Sequence, residues 1–249
     1  MKNMFNKIFK PSKTNKIMET KKNTKNWTAK PENEVKANPG APKVHNLIIV
    51  DESGSMSSIY NAALNGMNET MAHIRSLAAE CPEQKQEVTL VTFDTSHYNK
   101  IFDSVDGATT RQLTPRDYRP GGCTPLYDAM GRALTELEPK VKEKEAVIVT
   151  VITDGYENAS CEYSLAAIRA LVERLDSQGW LFSYIGANQD SAAVGASMGI
   201  ADTLNFEANE NSMMDMWNKE RNAREKFVKC SQSVGFNSAD FERGTLFDD

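Results

Sequence analysis

Short, nearly continuous apolar runs alternate along the chain with stretches whose apolar residues recur at helical spacing. The runs predict four strands: HNLIIV ending at Val50, VTLVTF (Val88 to Phe93), AVIVTVIT (Ala146 to Thr153) and LFSYI (Leu181 to Ile185). Runs that are apolar throughout, rather than alternating with polar residues, are typical of parallel strands covered on both faces.

Three stretches near these strands carry an apolar residue every three or four positions, which predicts amphipathic helices. They span residues 64–77, 126–137 and 165–175, and Gly179 stands where a C-terminal cap of the third helix would fall. This alternation of strands and helices predicts an α/β fold, a doubly wound and mostly parallel Rossmann-like sheet with helices on both faces.

The segment Ser96 to Val105 follows the second strand after a connection too short for a parallel crossover, so we expect an antiparallel strand at the sheet edge. The polar segment Asp106 to Cys123 is a loop whose length invites a functional explanation. Further on, residues 191–199 predict a short helix, and Thr203 to Phe206 predicts a short last strand.

A final helix is predicted from apolar residues at helical spacing. Its apolar face comprises Met213, Met216, Trp217, Ala223, Phe227 and Cys230. The charged stretch NKERNAREK (Asn218 to Lys226) is interpreted as the solvated side of this helix.

Three regions follow from these patterns. Residues 1–43 predict a disordered basic leader and a linker rich in proline. Residues 44–206 form the α/β domain, and residues 207–249 form a C-terminal helical extension and tail. The leader lacks the apolar core of a secretory signal. The sequence contains no run of 18 apolar residues, so no membrane-spanning helix is predicted.

Charge and cysteine usage narrow the classes of function. Residues 1–30 hold nine Lys and one Glu, a net charge of +8, so the rest of the chain carries −13 of the total of −5. An acidic domain argues against nucleic-acid binding, except through the leader. The four cysteines are widely spaced, with no CxxC pair, which favours reduced thiols and a cytoplasmic location.

Side chains with oxygen atoms stand at three places beside the ends of predicted strands and helices. Asp51 ends the first strand and is followed by Ser53 and Ser55, Thr124 precedes Pro125 at the start of a helix, and Asp154 follows the strand Ala146 to Thr153. Ligands of open parallel sheets bind beyond the carboxyl ends of the strands, so these side chains are expected to converge. Two carboxylates and three hydroxyls suit Mg²⁺ or another hard divalent ion rather than zinc.

These residues resemble a known family. DESGS (Asp51 to Ser55) matches the D-x-S-x-S motif of von Willebrand factor type A domains, and Thr124 and Asp154 match the other two parts of their metal-ion-dependent adhesion site. The resemblance covers about Val44 to Phe206. It implies that Ser53, Ser55 and Thr124 bind Mg²⁺ or Mn²⁺ directly, that Asp51 and Asp154 hold its waters, and that a Glu or Asp carboxylate of a partner protein completes the shell. Cys123 departs from the family, since many members have a third Gly there.

Each of these residues also fits an ordinary role: the two acids and Thr124 could cap helices, and the serines could bond within loops. The convergence of all five favours a metal site. The sequence predicts a metal-dependent protein-binding module rather than an enzyme, with no catalytic residue. A metal-assisted hydrolase or phosphatase-like enzyme at the same site stays open as the alternative, and nucleic-acid association through the leader as a third.

One motif points to a different chemistry. GASMG (Gly195 to Gly199) fits the G-x-S-x-G pattern of a nucleophile elbow. It follows a predicted helix rather than a strand, and all three histidines precede Ser197, so it is interpreted as a coincidence.

Overall fold

The computed structural model describes residues 42–233 and 235–248, so the predicted leader lies almost entirely outside the described residues. Within these ranges the chain forms one six-stranded sheet with strand order β3-β2-β1-β4-β5-β6. The strands are β1 (Val44–Asp51), β2 (Gln86–Phe93), β3 (Tyr98–Asp106), β4 (Ala146–Thr153), β5 (Leu181–Ala187) and β6 (Asp202–Phe206). All pairs are parallel except β2 with β3, which confirms the predicted fold class and its antiparallel edge strand.

Five α-helices connect or follow these strands in the described ranges. They are α1 (Tyr60–Glu80), α2 (Leu126–Leu137), α3 (Leu165–Ser177), α4 (Ser191–Ser197) and α5 (Glu210–Ser231). One apolar cluster joins α1 and α5 to one face of the sheet, and a second joins α2 and α3 to the other. None of the described helices is both long and apolar enough to cross a membrane.

The helix predicted as a C-terminal extension packs as α5 on the same sheet face as α1. A methyl group on Gly66 of α1 would lie only 2.1 Å from the Trp217 ring, so the two helices approach closely at a glycine. The interpretation of residues 218–226 as a solvated side is wrong at two positions, because Glu220 and Arg224 are buried.

A buried ion pair explains why these two charges face inward. Arg224 bonds to Glu220 one turn earlier, to Asn46 Oδ1 of β1 at 2.8 Å, and to Thr150 Oγ1 of β4 at 2.9 Å. A buried charge is tolerated when it is paired and hydrogen-bonded. The guanidinium therefore joins α5 to the two central strands of the sheet.

Candidate functional site

The carboxyl edge of the central strands gathers the side chains that the sequence singled out. Asp51 ends β1 and is fully buried. Its Oδ1 accepts a hydrogen bond from the backbone N–H of Ser53 at 2.7 Å, and its Oδ2 accepts one from Thr153 Oγ1 at 2.6 Å. Thr153 is the last residue of β4, so these contacts fix the Asp51 carboxylate between two neighbouring strand ends.

Hydroxyl groups extend this arrangement toward the second acid. Ser53 Oγ lies 3.2 Å from Ser55 Oγ, and Ser55 Oγ donates to Asp154 Oδ1 at 2.5 Å. Ser53 begins the 3₁₀ turn Gly54–Ile59 without using its side chain as a cap. Its hydroxyl is therefore directed to the other oxygen groups rather than to the turn.

Thr124 reaches the same place from the loop before α2. A methyl group on Gly155 would lie 3.4 Å from Thr124 Oγ1 and 3.9 Å from Ser55 Oγ, so both hydroxyls border the same small space. The absence of a side chain at Gly155 keeps that space open. The structure thus brings together all five of the residues predicted from the sequence.

The helix predicted from residue 126 has that start in the structure, but the expectation that Thr124 is its N-cap is wrong. The helix begins at Leu126, and Pro125 with ψ of 64° is its non-helical N-cap. Asn158 holds the threonine outside the helix: Thr124 N donates to Asn158 Oδ1 at 2.9 Å, and Asn158 N donates to Thr124 O at 3.1 Å. The Thr124 side chain makes no capping hydrogen bond to α2.

Glu52, to which the sequence gave no role, is buried and joins the Asp51 loop to the segment that leads to Thr124. Its carboxylate accepts the backbone N–H of Arg119, and its backbone carbonyl accepts that of Gly121 at 2.8 Å. Two further contacts reinforce the connection. Gly54 N donates to Gly122 O at 3.1 Å, and the Tyr118 hydroxyl donates to Asp51 O at 2.8 Å.

The segment before Thr124 also depends on its glycines and on the turn after β2. Gly122 has a positive φ of 65°, and a methyl group there would lie 2.5 Å from Thr95 Oγ1. Thr95 Oγ1 in turn accepts the backbone N–H of Cys123 at 3.1 Å, while the Cys123 side chain is exposed. The cysteine that departs from the family pattern is therefore held through its backbone.

Burial shapes the electrostatics of the two acids. Desolvation raises the pKa of Asp51 to about 6, although hydrogen bonds from Thr153 and Ser53 oppose the shift. The pKa of Asp154 is also raised, again first by burial. An acid whose pKa is raised by folding favours the folded state in its protonated form when no cation is bound. For Asp51 this contribution to stability is lost as the pH rises toward 6.

No basic side chain balances these acids among the ion pairs of the described residues. The described part of the chain also holds no group of three or more His, Cys, Asp or Glu side chains arranged for a metal. The site differs from such a group, because three of its five oxygen donors are hydroxyls. Two acids and three neutral oxygens fit a hard divalent ion, which prefers oxygen ligands and accepts waters in its shell.

Sequence reasoning missed the residues that hold the site in place, namely Glu52, Thr153, Gly155 and Asn158. All four stand within four positions of a predicted site residue, which is the one signal that could have found them. The nucleophile-elbow motif stays a coincidence: Ser197 lies in the last turn of α4 and donates to Val194 O at 2.6 Å.

Several solved structures have a fold similar to that of this chain. Proximal thread matrix protein 1 from the mussel byssus matches with a TM-score of 0.53 and 15% identity, over 79% of this chain and 47% of that protein. The open conformation of the pilus adhesin SpaC from Lactobacillus rhamnosus GG matches with a TM-score of 0.58 and 12% identity, over 78% of this chain and 31% of the adhesin. The SpRpn10 VWA domain matches with a TM-score of 0.51 and 13% identity, over 72% of this chain and 95% of that domain.

These similarities define a von Willebrand factor type A-like fold, and at such low identities they show the fold alone. The chain spans less than half the length of the mussel protein and of the pilus adhesin. No family model and no curated protein matches the sequence.

Proposed function

We propose that this domain is a metal-dependent protein-binding module. In this proposal Asp51, Ser53, Ser55, Thr124 and Asp154 hold Mg²⁺ or Mn²⁺, and an acidic side chain of a partner protein completes the shell. The observation that carries it is the convergence of two acids and three hydroxyls at one sheet edge, with no basic side chain of the described residues paired to either acid.

The five residues divide into two roles in this proposal. Ser53, Ser55 and Thr124 offer neutral oxygens as direct ligands, while Asp51 and Asp154 orient the shell and supply negative charge. Neutral direct ligands leave a divalent ion incompletely neutralised, so the bound ion would supply a strong attraction for an incoming carboxylate. The side chains of Glu52 and Asn158 accept the backbone N–H groups of Arg119 and Thr124, and these bonds hold the two loops that carry the hydroxyls.

Exposed apolar side chains support a protein as the ligand. Within the described ranges the large exposed hydrophobic residues are Tyr156, Leu165 and Met214. Tyr156 follows β4 in the same loop as Asp154, Leu165 begins α3, and Met214 lies in the second turn of α5. Helices that follow parallel strands begin at the carboxyl edge, so all three lie at the same edge of the sheet as the candidate site. Aromatic and Met side chains are enriched in protein interfaces.

The competing hydrolase requires a general base, and His97 is the nearest histidine in the hydrogen-bond network of the site. Its Nε2 lies 3.1 Å from Glu52 Oε2, and its Nδ1 lies 3.1 Å from Asp94 Oδ1. Both ring nitrogens are therefore occupied by carboxylates. A histidine base must have a free nitrogen within reach of the proton that it takes, so His97 is not placed to serve as that base.

Replacing Thr124 by Val is expected to weaken Mg²⁺-dependent peptide binding by at least about 10-fold, because Val keeps the shape but loses the oxygen ligand. Thr124→Ser, which retains a hydroxyl, is the matched control and should bind within a few-fold of the unmodified domain. The measurement is fluorescence polarisation with acidic peptides selected on the domain from a random library in Mg²⁺.

Binding that persists in chelator, or equal binding by Thr124→Val and the unmodified domain, would contradict the proposal. Hydrolysis of p-nitrophenyl phosphate that requires Mg²⁺ and disappears in Ser53→Ala would favour the hydrolase instead.

A further inference from the structure

The turn that joins β2 to β3 is closed by its own polar groups and contacts the loop before α2. Asp94 Oδ1 accepts the backbone N–H of His97 at 2.8 Å, and Asp94 N donates to His97 O at 2.9 Å. A short acidic side chain that bonds to the backbone a few residues on is typical of a fixed turn. In the same turn Thr95 Oγ1 accepts the backbone N–H of Cys123 at 3.1 Å, so the turn holds the loop before α2.

The His97 ring connects this turn to the loop that follows β1. Its Nε2 lies 3.1 Å from Glu52 Oε2, and its Nδ1 lies 3.1 Å from Asp94 Oδ1. An ionised carboxylate only accepts hydrogen bonds, so the bond to Glu52 requires the proton on Nε2. The ring is therefore held from both sides, although 38% of the side chain is exposed.

Glu52 depends on this contact, because its carboxylate is buried. Among the described residues, the carboxylate accepts the backbone N–H of Arg119 at one oxygen and the His97 ring at the other. A buried carboxylate keeps its position only while hydrogen bonds replace the water that it has lost. Without the imidazole, Glu52 Oε2 would lose its partner, and the side chain would turn toward water.

Three backbone N–H groups of the loop before α2 are held by residues that His97 connects. Glu52 holds two of them, one with its carboxylate and one with its backbone carbonyl. Thr95 holds the third, which belongs to Cys123. Cys123 immediately precedes Thr124, so these bonds determine where the Thr124 hydroxyl lies.

We propose that His97 is a positioning residue of the metal site, which acts through Glu52 to keep the Thr124 hydroxyl where it can bind the metal. The ring contacts Glu52 and Asp94, so the histidine acts from outside the set of five proposed site residues. Groups that hold a metal ligand in place change the affinity for the metal without touching it. This inference rests on the proposed function and adds a residue that sets the affinity of the site.

Three neutral substitutions in the full-length protein test the role of the Nε2 donor. The amide nitrogen of His97→Gln can stand near the place of the imidazole Nε2 and donate to Glu52. The shorter His97→Asn places its amide near the position of Nδ1, out of reach of Glu52, and His97→Ala has no donor. Isothermal titration calorimetry should show Mg²⁺ binding that is about 10-fold weaker in His97→Ala and His97→Asn, but within about 3-fold of the unmodified protein in His97→Gln.

A second readout needs no metal. In chelator, hydrogen exchange followed by NMR should be about 10-fold faster at the Arg119 and Cys123 amides in His97→Ala and His97→Asn than in His97→Gln. A loss of overall stability would also speed exchange at Ile148 in the centre of β4, so the ratio to that amide isolates the loop. The matched control is His73→Ala in α1, where Nε2 lies 3.4 Å from Glu225 Oε2, and it should change neither quantity.

The outcomes separate the two claims. Equal Mg²⁺ affinities in His97→Gln and His97→Asn, or an unchanged affinity in His97→Ala, would overturn the role of His97 and leave the proposed function standing. Exchange at Arg119 and Cys123 that rises only in proportion to exchange at Ile148 would also overturn it. If the unmodified protein binds no Mg²⁺, both proposals fall together.

Discussion

Replacing Asp51 by Asn is expected to weaken Mg²⁺ binding by about 10- to 100-fold while leaving the metal-free domain at least as stable as before. The carboxylate is fully buried, and desolvation raises its pKa, so its charged form is disfavoured without a cation. An Asn of the same shape removes that unfavourable charge. Its Oδ1 can still accept the Ser53 N–H, and Thr153 Oγ1 can turn to accept from its Nδ2.

The two effects are measured separately. Isothermal titration calorimetry gives the Mg²⁺ affinity, and chemical unfolding gives stability in chelator and in saturating Mg²⁺. The stabilisation that Mg²⁺ confers should shrink by roughly 1.4 to 2.7 kcal/mol, which matches the loss of affinity. Asp215→Asn, at an exposed position of α5, is the control and should alter neither quantity. Equal Mg²⁺ affinity in Asp51→Asn and the unmodified domain would argue against the metal site.

Replacing Arg224 by Met is expected to lower the free energy of unfolding by about 3 to 5 kcal/mol, because it leaves the buried Glu220 without its partner. Glu220 Oε2 already has no hydrogen-bond partner among the described residues. Asn46 and Thr150 would each lose a hydrogen bond as well. Domains are stable by only about 5 to 15 kcal/mol, so a loss of this size should be plain in urea unfolding.

A second arginine on the same helix supplies the control. Arg221 pairs with the exposed Glu69 at 2.7 Å, and Arg221→Met should cost no more than about 1 kcal/mol. Adding Glu220→Leu to Arg224→Met should recover part of the lost stability, since the unpaired buried charge is then gone. Similar stabilities of Arg224→Met and Arg221→Met would show that the ion pair does not hold α5 on the sheet.

Hydrophobic pattern alone predicted most of the fold. The strand predicted over Ala146 to Thr153 has those bounds in the structure, and the antiparallel partner of β2 forms at the sheet edge. Such elements follow from local periodicity and from the minimum length of a parallel crossover. The burial of Glu220 and Arg224 could not be predicted in this way, because it depends on Asn46 and Thr150, which are far away in sequence.

The candidate site was predictable to a similar degree. Its five residues stand at or just after strand ends, or shortly before a helix, so sheet topology alone places them at one edge. The contacts that fix them connect different loops, as Glu52 does with Arg119 and Asn158 with Thr124. Hydrogen bonds between loops leave no periodic signal in a sequence, and the one from Thr124 N to Asn158 explains why Thr124 does not serve as the N-cap of α2.

The most direct test of the metal site is a crystal of the domain soaked in Mn²⁺ and measured near the manganese absorption edge. The account predicts one strong anomalous peak surrounded by the hydroxyls of Ser53, Ser55 and Thr124, with the Asp51 and Asp154 carboxylates just behind them. The same soak of Asp51→Asn should give a weaker peak. A map without a peak at this edge of the sheet, or with manganese held only elsewhere, would contradict the account.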